Sequence, residues 1–146
     1  MNIRLAGLAA LACCVAGVAI AQAEIDVIAV RQAGMELQSA AIGAVNLAVK
    51  AGVDVKSFAG AGSATAGWAK RIPGLFPPGT DKGEDTKALP EIWSDSAGFA
   101  KAAAALGTAA DKLTAAAKAD DKEAFGAALK DVGGACGACH KTYRAK

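Results

Sequence analysis

The residues best suited to chemistry form one short motif, Cys136-Gly137-Ala138-Cys139-His140. Two thiols three positions apart on a helix project to the same side, at a separation that suits the two vinyl groups on one edge of a porphyrin. The adjacent His140 is then close enough to bind the iron. The motif therefore predicts one covalently attached haem c, with His140 as the proximal iron ligand.

Two other interpretations of the cysteine pair are weaker. A redox disulfide in a C-x-x-C motif usually opens a helix beside a βαβ sheet, and no strand pattern occurs in this sequence. A structural zinc site needs four ligands, whereas residues 24–146 contain two cysteines and one histidine. A haem-free dithiol or metal-binding bundle is therefore the less favoured alternative.

The first 23 residues have the features of a cleaved signal peptide. Arg4 gives a positive start, residues 5–20 are almost wholly apolar, and Ala21-Gln22-Ala23 has the small-x-small pattern that precedes a cleavage site. We therefore expect residues 24–146 to form one mature, periplasmic, haem-bearing domain. No later segment lacks charges over about eighteen residues, so stable membrane insertion is not expected.

The nearly neutral net charge of the chain limits the classes of molecule that it is expected to bind. The chain has 16 basic and 14 acidic residues, and its formal net charge is +2 at neutral pH. Nucleic-acid binding would require a large basic surface and is not expected. Lys141, Arg144 and Lys146 lie close to the haem motif and could steer an acidic periplasmic redox partner, or they could only complement the end of a helix.

The apolar spacing predicts an all-α fold, an antiparallel up-down four-helix bundle with a long loop between helices two and three. In the first helix, Ile28, Met35, Ile42 and Val49 recur every seven residues, and Leu37 is expected to flank this stripe. Several prolines exclude a helix through the loop. The predicted helices are 25–51, 54–70 and 95–119 and a fourth that begins at Asp120, and the predicted loop is 71–92.

The fourth helix carries the haem motif on its inward face. Its apolar residues are spaced by three and four positions, which predicts one continuous buried stripe. We expect Asp120 to begin this helix in a capping box with Glu123. The stripe consists of Phe125, Leu129, Val132, Cys136, Cys139 and Tyr143.

Elimination reduces the candidates for the second axial ligand of the iron. His140 is the single histidine of the chain, so two histidines cannot bind the iron within one chain. Once residues 1–23 are removed, Met35 is the one remaining methionine. It lies on the core stripe of the first helix, where a methionine can bind iron or simply fill space. Its sequence position leaves both roles open.

The chain resembles the class II cytochromes c, the cytochrome c prime family. The resemblance is closest in residues 131–144 around the haem motif, includes Arg31-Gln32-Ala33-Gly34-Met35, and extends loosely over the mature chain. It implies that His140 is the fifth ligand and that Met35 is either the distal ligand or a side chain covering the distal face. It also implies that Arg31 lies near the haem propionates and that Trp68 packs beside the haem. Tyr143, in the 131–144 stretch, is likewise expected in the haem pocket.

The same resemblance suggests a function. Residues 76–83 and 90–93 look more like the low-spin subgroup, in which methionine binds iron and the protein carries electrons. The expected function is therefore one-electron transfer with His140 and Met35 as axial ligands, and no enzymatic activity. The alternative is a five-coordinate protein that binds nitric oxide or carbon monoxide on the distal face. Family members commonly dimerise through their first two helices, so a homodimer is a further expectation.

Overall fold

The computed structural model describes residues 26–146, and the expected signal peptide lies outside this range. Four long helices and one short helix make up the described chain, and the long helices pack as the predicted up-down bundle. None of the described helices is long and apolar enough to cross a membrane. The helices are α1 (Val27–Lys50), α2 (Ala59–Arg71), the short α3 (Glu91–Ser94), α4 (Ser96–Ala119) and α5 (Lys122–Tyr143).

Aspartates define the starts of the three longest helices. The Asp26 carboxylate accepts hydrogen bonds from the backbone N–H groups of Ile28 and Ala29, at 2.9 and 3.1 Å, and so caps α1. Asp95 caps α4 and Asp121 caps α5 in the same way. These caps satisfy backbone donors that a helix end would otherwise leave unpaired.

The predicted start of the fourth helix is wrong by one residue. Asp120 has a φ of 58°, in the left-handed region, and ends α4 as its C-cap. Asp121 is the true N-cap, because its carboxylate accepts a hydrogen bond from the N–H of Ala124 at 2.9 Å. The capping box predicted between Asp120 and Glu123 is therefore wrong.

The second helix begins later than predicted. Asp54 caps a 3₁₀ turn, Val55–Phe58, and α2 follows at Ala59. Gly62 of α2 lies against α4, where an added Cβ would be only 2.9 Å from the backbone nitrogen of Thr114. This glycine lets α2 and α4 approach more closely than any larger residue would allow.

The predicted loop between the second and third helices is partly helical. It opens with a 3₁₀ turn, Ile72–Leu75, and α3 begins at Glu91, before the predicted end of the loop. Residues 76–90 form no long element and cross one end of the bundle. An isolated antiparallel bridge joins Ala88 to Arg144, just after α5. The connection is therefore tied to the helix that carries the haem motif.

The core is centred on α4, which packs against both α2 and α5. Leu113 of α4 and Phe125 and Val132 of α5 are completely buried, which confirms the inward stripe predicted for α5. On α1, Ile28 and Val45 are buried, but Leu37 is 68% exposed. Leu37 follows Met35 by two positions, which is a rotation of about 200° around a helix. The expectation that Leu37 flanks the buried stripe is therefore wrong.

Candidate functional site

The last two turns of α5 supply the residues of the haem motif. Cys139 and His140 follow Cys136 by three and four positions, so both lie on the same side of the helix as Cys136. All three are half-buried, and both cysteines are free thiols that pack against the hydrophobic core. The backbone N–H of Arg144 donates a hydrogen bond to the His140 carbonyl at 3.1 Å, which fixes the end of this helix.

A cavity of about 480 Å³ lies between α1, the 76–90 connection, and the ends of α4 and α5. Its volume is in the range of pockets that hold small organic ligands and cofactors. Five predicted site residues line it: Arg31, Met35, Cys139, His140 and Tyr143. Cys136 lies one turn earlier on α5, and neither it nor Trp68 lines the cavity. The structure therefore brings five of the seven predicted site residues to one cavity.

Burial sets the protonation of the motif side chains. It raises the pKa of the Cys136 and Cys139 thiols, so both stay protonated at neutral pH. It lowers the pKa of His140, and the nearby positive charge of Arg144 lowers it further. A neutral imidazole has a free nitrogen lone pair, which is the form that binds a metal.

Arg31 of α1 is almost fully buried, with 3% of its surface exposed. Its guanidinium donates to the Leu75 carbonyl, to the hydroxyl and carbonyl of Thr80 and to the hydroxyl of Thr86, at 2.6 to 3.3 Å. It also lies 4.4 Å from the centre of the Phe76 ring, in a cation–π contact. Arg31 thereby fastens the 76–90 connection to α1.

The positive charge of Arg31 is incompletely balanced. Its hydrogen-bond acceptors are all neutral, and within residues 26–146 no carboxylate lies at ion-pair distance from it. Burial lowers the pKa of Arg31, and a more distant attraction from Asp26 opposes this effect. A buried cation at the wall of a cavity favours an anionic group inside that cavity.

Tyr143 connects the motif helix to α4. Its hydroxyl donates a hydrogen bond to the Asp95 carboxylate at 2.9 Å. Its ring packs edge-on against Phe99 with 5.2 Å between the ring centres, and Phe99 packs in the same way against Phe76. The rings of Tyr143, Phe99 and Phe76 therefore form a continuous aromatic wall of the cavity. Phe76 is the ring that the Arg31 guanidinium contacts.

Trp68 lies between α1 and α2. Its six-membered ring packs directly against Gly34, the residue before Met35. The indole Nε1–H is buried and has no hydrogen-bond partner among the described residues. Trp68 therefore supports the α1 segment that carries Met35.

Sequence reasoning missed several residues that shape this site. Asp95, Thr80 and Thr86 hold Tyr143 and Arg31 in place but belong to no recognisable motif. The available signal was compositional, because the chain has only four phenylalanines, two tryptophans and one tyrosine. One end of the bundle gathers two of these phenylalanines, one tryptophan and the tyrosine: Phe76, Phe99, Trp93 and Tyr143.

The residues present fit a covalently bound haem. Two thiols and a neutral imidazole share one side of α5, and the cavity beside them is lined by aromatic rings and by a buried cation suited to a carboxylate. Met35 lines the opposite, α1 side of the same cavity. This donor set matches haem better than a bare metal ion, because within residues 26–146 no three metal-binding side chains cluster.

Comparison with known proteins gives the same result. The family described as Cytochrome C' matches residues 26–144. Cytochrome c' of Rhodopseudomonas palustris is 36% identical over 152 aligned positions, which cover 100% of this chain and 99% of that protein. Cytochrome c' of Rubrivivax gelatinosus is 49% identical and cytochrome c-556 of Agrobacterium tumefaciens is 45% identical, over 49% and 53% of this chain. These two alignments span only 55% and 62% of the relatives' lengths.

Solved structures agree with the sequence relatives. Cytochrome c' from Thermochromatium tepidum superimposes with a TM-score of 0.75 and 35% identity, over 82% of this chain and 95% of that one. A nitric oxide complex of a cytochrome c prime variant from Alcaligenes xylosoxidans has a TM-score of 0.73 and 34% identity, over 83% and 94% of the two chains. The chain thus belongs to the cytochrome c' family of c-type cytochromes, which bind one covalent haem c.

Proposed function

We propose that this cytochrome binds a small diatomic gas, such as nitric oxide or carbon monoxide, on the haem face opposite His140. The observation that carries the proposal is the match to the cytochrome c' family, in which a relative 34% identical to this chain has been solved with nitric oxide bound. His140 of α5 and Met35 of α1 line the same cavity. His140 belongs to the helix that bears both cysteines, whereas Met35 comes from a separate helix and packs against the core. A flexible methionine that packs against the core can cover the distal face without a permanent bond to iron.

The comparisons favour this alternative over the methionine-ligated carrier expected from the sequence. The matching family is cytochrome c', and one solved relative holds nitric oxide. Haem iron supplies, when bound, an open coordination position together with reversible one-electron chemistry. The chain's own residues would then decide how far the distal face is accessible to a gas.

Five other predicted site residues have proposed tasks. Cys136 and Cys139 would form the two thioether links, and His140 would be the proximal ligand. Arg31 would hold a haem carboxylate, because its buried charge has no carboxylate partner at ion-pair distance in the described chain. Tyr143, which lines the cavity, would form the edge of the haem pocket.

Electron transfer is the second candidate function. It is favoured by Met35 lining the cavity opposite His140 and by the 45% identity to a cytochrome c-556. A bond from the Met35 sulfur would stabilise ferrous iron and raise the reduction potential. In both candidate functions the protein binds or transfers and is not an enzyme.

Visible spectra of the reduced holoprotein, before and after addition of carbon monoxide, separate the two candidates. If Met35 only covers the distal face, carbon monoxide causes an immediate and large Soret shift. A reduced spectrum with low-spin bands that carbon monoxide hardly changes contradicts gas binding and supports the carrier.

Replacement of Met35 by Ala tests the same point from the protein side. Gas binding predicts that Met35→Ala keeps a high-spin spectrum and takes up carbon monoxide faster, because less of the distal face is covered. Conversion from low-spin to high-spin would instead support Met35 as a ligand. Ser39→Ala is the matched control, because Ser39 lies exposed on the same helix and outside the cavity.

Processing, location and partners belong to the same proposal. Residues 1–23 would be removed on export, and residues 24–146 would act in the periplasm. The mass of the purified exported chain tests both the cleavage site and the addition of one haem.

An exposed apolar surface on α1 that includes Val30, Leu37 and Leu47 would form a homodimer contact. Basic residues near the motif would face an acidic redox partner protein.

A further inference from the structure

The segment that ends α5 is fixed more firmly than a frayed helix end. The carbonyl of Tyr143 accepts a hydrogen bond from the N–H of Leu89 at 3.1 Å, and the N–H of Ala145 donates to the Lys87 carbonyl at 2.8 Å. These bonds flank the antiparallel bridge between Ala88 and Arg144. Residues 143–145 are thus paired along the 87–89 segment.

The side chain of Tyr143 adds a bond to the start of α4, at the same end of the bundle. Its hydroxyl donates to one carboxylate oxygen of Asp95 at 2.9 Å, while the other oxygen accepts from the N–H of Gly98 at 3.1 Å. Asp95 therefore caps α4 and holds Tyr143 at the same time. Since only 7% of Tyr143 is exposed, its ring packs in the core beside this bond.

These contacts lie one turn from His140. Tyr143 follows His140 by three positions, and the N–H of Arg144 donates to the His140 carbonyl. His140 and Tyr143 also line the same cavity. Helical hydrogen bonds and close packing transmit a displacement of Tyr143 to the preceding turn. A displacement of Tyr143 would therefore reach the turn that carries His140.

We propose that Asp95 and Tyr143 form a latch that fixes the orientation of His140 toward the haem iron. The latch acts through the backbone of the last turn of α5, so both residues are positioning residues. The inference rests on the proposed role of His140 as the proximal ligand. It adds that Asp95 sets the geometry of the iron–imidazole bond. Asp95 lies at the start of α4, 45 positions before His140 in the sequence.

The test uses resonance Raman spectra of the ferrous holoprotein, in which the iron–histidine stretching band reports the strength and uniformity of that bond. The parent protein carries Met35→Ala, so that no thioether competes for the iron. Tyr143→Phe removes the hydroxyl and keeps the ring. Asp95→Asn keeps a good helix cap but leaves only one carbonyl-type acceptor for two donors.

The latch predicts that Tyr143→Phe and Asp95→Asn each broaden the iron–histidine band and shift it to lower frequency. Combining the two changes should add little to either alone, because both remove the same bond. Thr142→Ala is the matched control, since Thr142 is the exposed neighbour on α5 and its hydroxyl bonds only within the helix, at 3.5 Å. It should leave the band unchanged.

The outcomes are distinct. If the band is unchanged in Tyr143→Phe and Asp95→Asn while their free energies of unfolding fall, the bond only stabilises the bundle and the latch is wrong. If the parent protein shows no iron–histidine band, His140 is not the proximal ligand, and the proposed latch is wrong as well. Asp95→Asn keeps the test decisive should Tyr143→Phe fold poorly.

Discussion

The indole ring of Trp68, on α2, packs directly against Gly34 of α1, where the lack of a side chain lets the ring meet the α1 backbone. A methyl group at position 34 would overlap three atoms of the ring. Because Gly34 immediately precedes Met35, this contact helps to set how far Met35 extends toward the cavity. Packing between α1 and α2 is thereby linked to the distal side of the proposed haem site.

Replacement of Gly34 by Ala should both destabilise the protein and change its distal side. The indole or α1 must move, which typically costs about 1–3 kcal/mol of unfolding free energy in a packed interior. Met35 moves with α1, so the rate of carbon monoxide binding to the reduced holoprotein should change. Denaturant unfolding and flash photolysis measure the two effects.

Gly43→Ala is the matched control for this change. Gly43 lies on the same helix, and an added Cβ there would have no neighbouring atom within 4 Å. Alanine favours a helix over glycine, so stability should rise by up to about 1 kcal/mol while carbon monoxide binding stays the same. Equal behaviour of Gly34→Ala and Gly43→Ala would show that the Trp68 contact does not govern Met35.

The sequence predicts the bundle well because helical burial follows a simple period. Phe125 and Val132 are seven positions apart, and both are completely buried as expected. The boundary before them was harder to predict, because Asp120 and Asp121 are both good capping residues. Only the left-handed backbone at Asp120, which ends α4, makes Asp121 the cap of α5. That conformation depends on how the two helices meet and leaves no mark on the sequence.

The site was predictable where residues are close in sequence or carry a known motif. His140 and Tyr143 line one cavity with Met35 and Arg31, as the sequence suggested, although their roles toward haem stay predictions. Trp68 was expected beside the haem but packs against Gly34 and does not line the cavity. The bonds from Arg31 to Thr86 and from Tyr143 to Asp95 join residues 55 and 48 positions apart. No local pattern can pair residues at such separations.

Replacement of Arg31 by Lys should release the 76–90 connection while the bundle stays folded. One ammonium group cannot span the Thr80 and Thr86 oxygens that the guanidinium reaches at 2.6 to 2.8 Å. Backbone amides of residues 80–86 should therefore exchange with solvent faster, and the unfolding free energy should fall by about 2 kcal/mol. Hydrogen exchange followed by mass spectrometry locates the effect.

Arg71→Lys provides the comparison for that experiment. Arg71 is exposed at the end of α2, and no ion pair or side-chain hydrogen bond involves it within the described residues. Its replacement should leave the hydrogen exchange of residues 80–86 unchanged. The free energy of unfolding should stay within about 0.5 kcal/mol of that of the natural protein. If residues 80–86 exchange equally in the two variants, Arg31 does not fasten this segment.

Introduction of a negative charge on the exposed side of α1 should separate the proposed homodimer. Leu37 and Leu47 are 68% and 70% exposed, so Leu37→Glu and Leu47→Glu cost little in the monomer but place charge in an apolar contact. Sedimentation equilibrium should show a monomer for the double variant. Lys101→Glu, at an exposed position of α4, is the control and should remain dimeric. A monomeric natural protein would contradict the proposal directly.

The stability conferred by Tyr143 should depend on pH in the alkaline range. Burial, followed by the hydrogen bond to Asp95, raises the pKa of Tyr143 in the folded protein above its ordinary value of 10.0. Below pH 10.0 the hydroxyl is protonated in both states, and its bond contributes fully to stability. Above that pH the unfolded chain loses the proton first, which favours unfolding. The free energy of unfolding of the natural holoprotein should therefore fall relative to that of Tyr143→Phe as the pH passes 10.0. Urea titrations at several pH values measure this difference, and a difference that stays constant through pH 11 would show that the folded protein does not hold the proton on Tyr143.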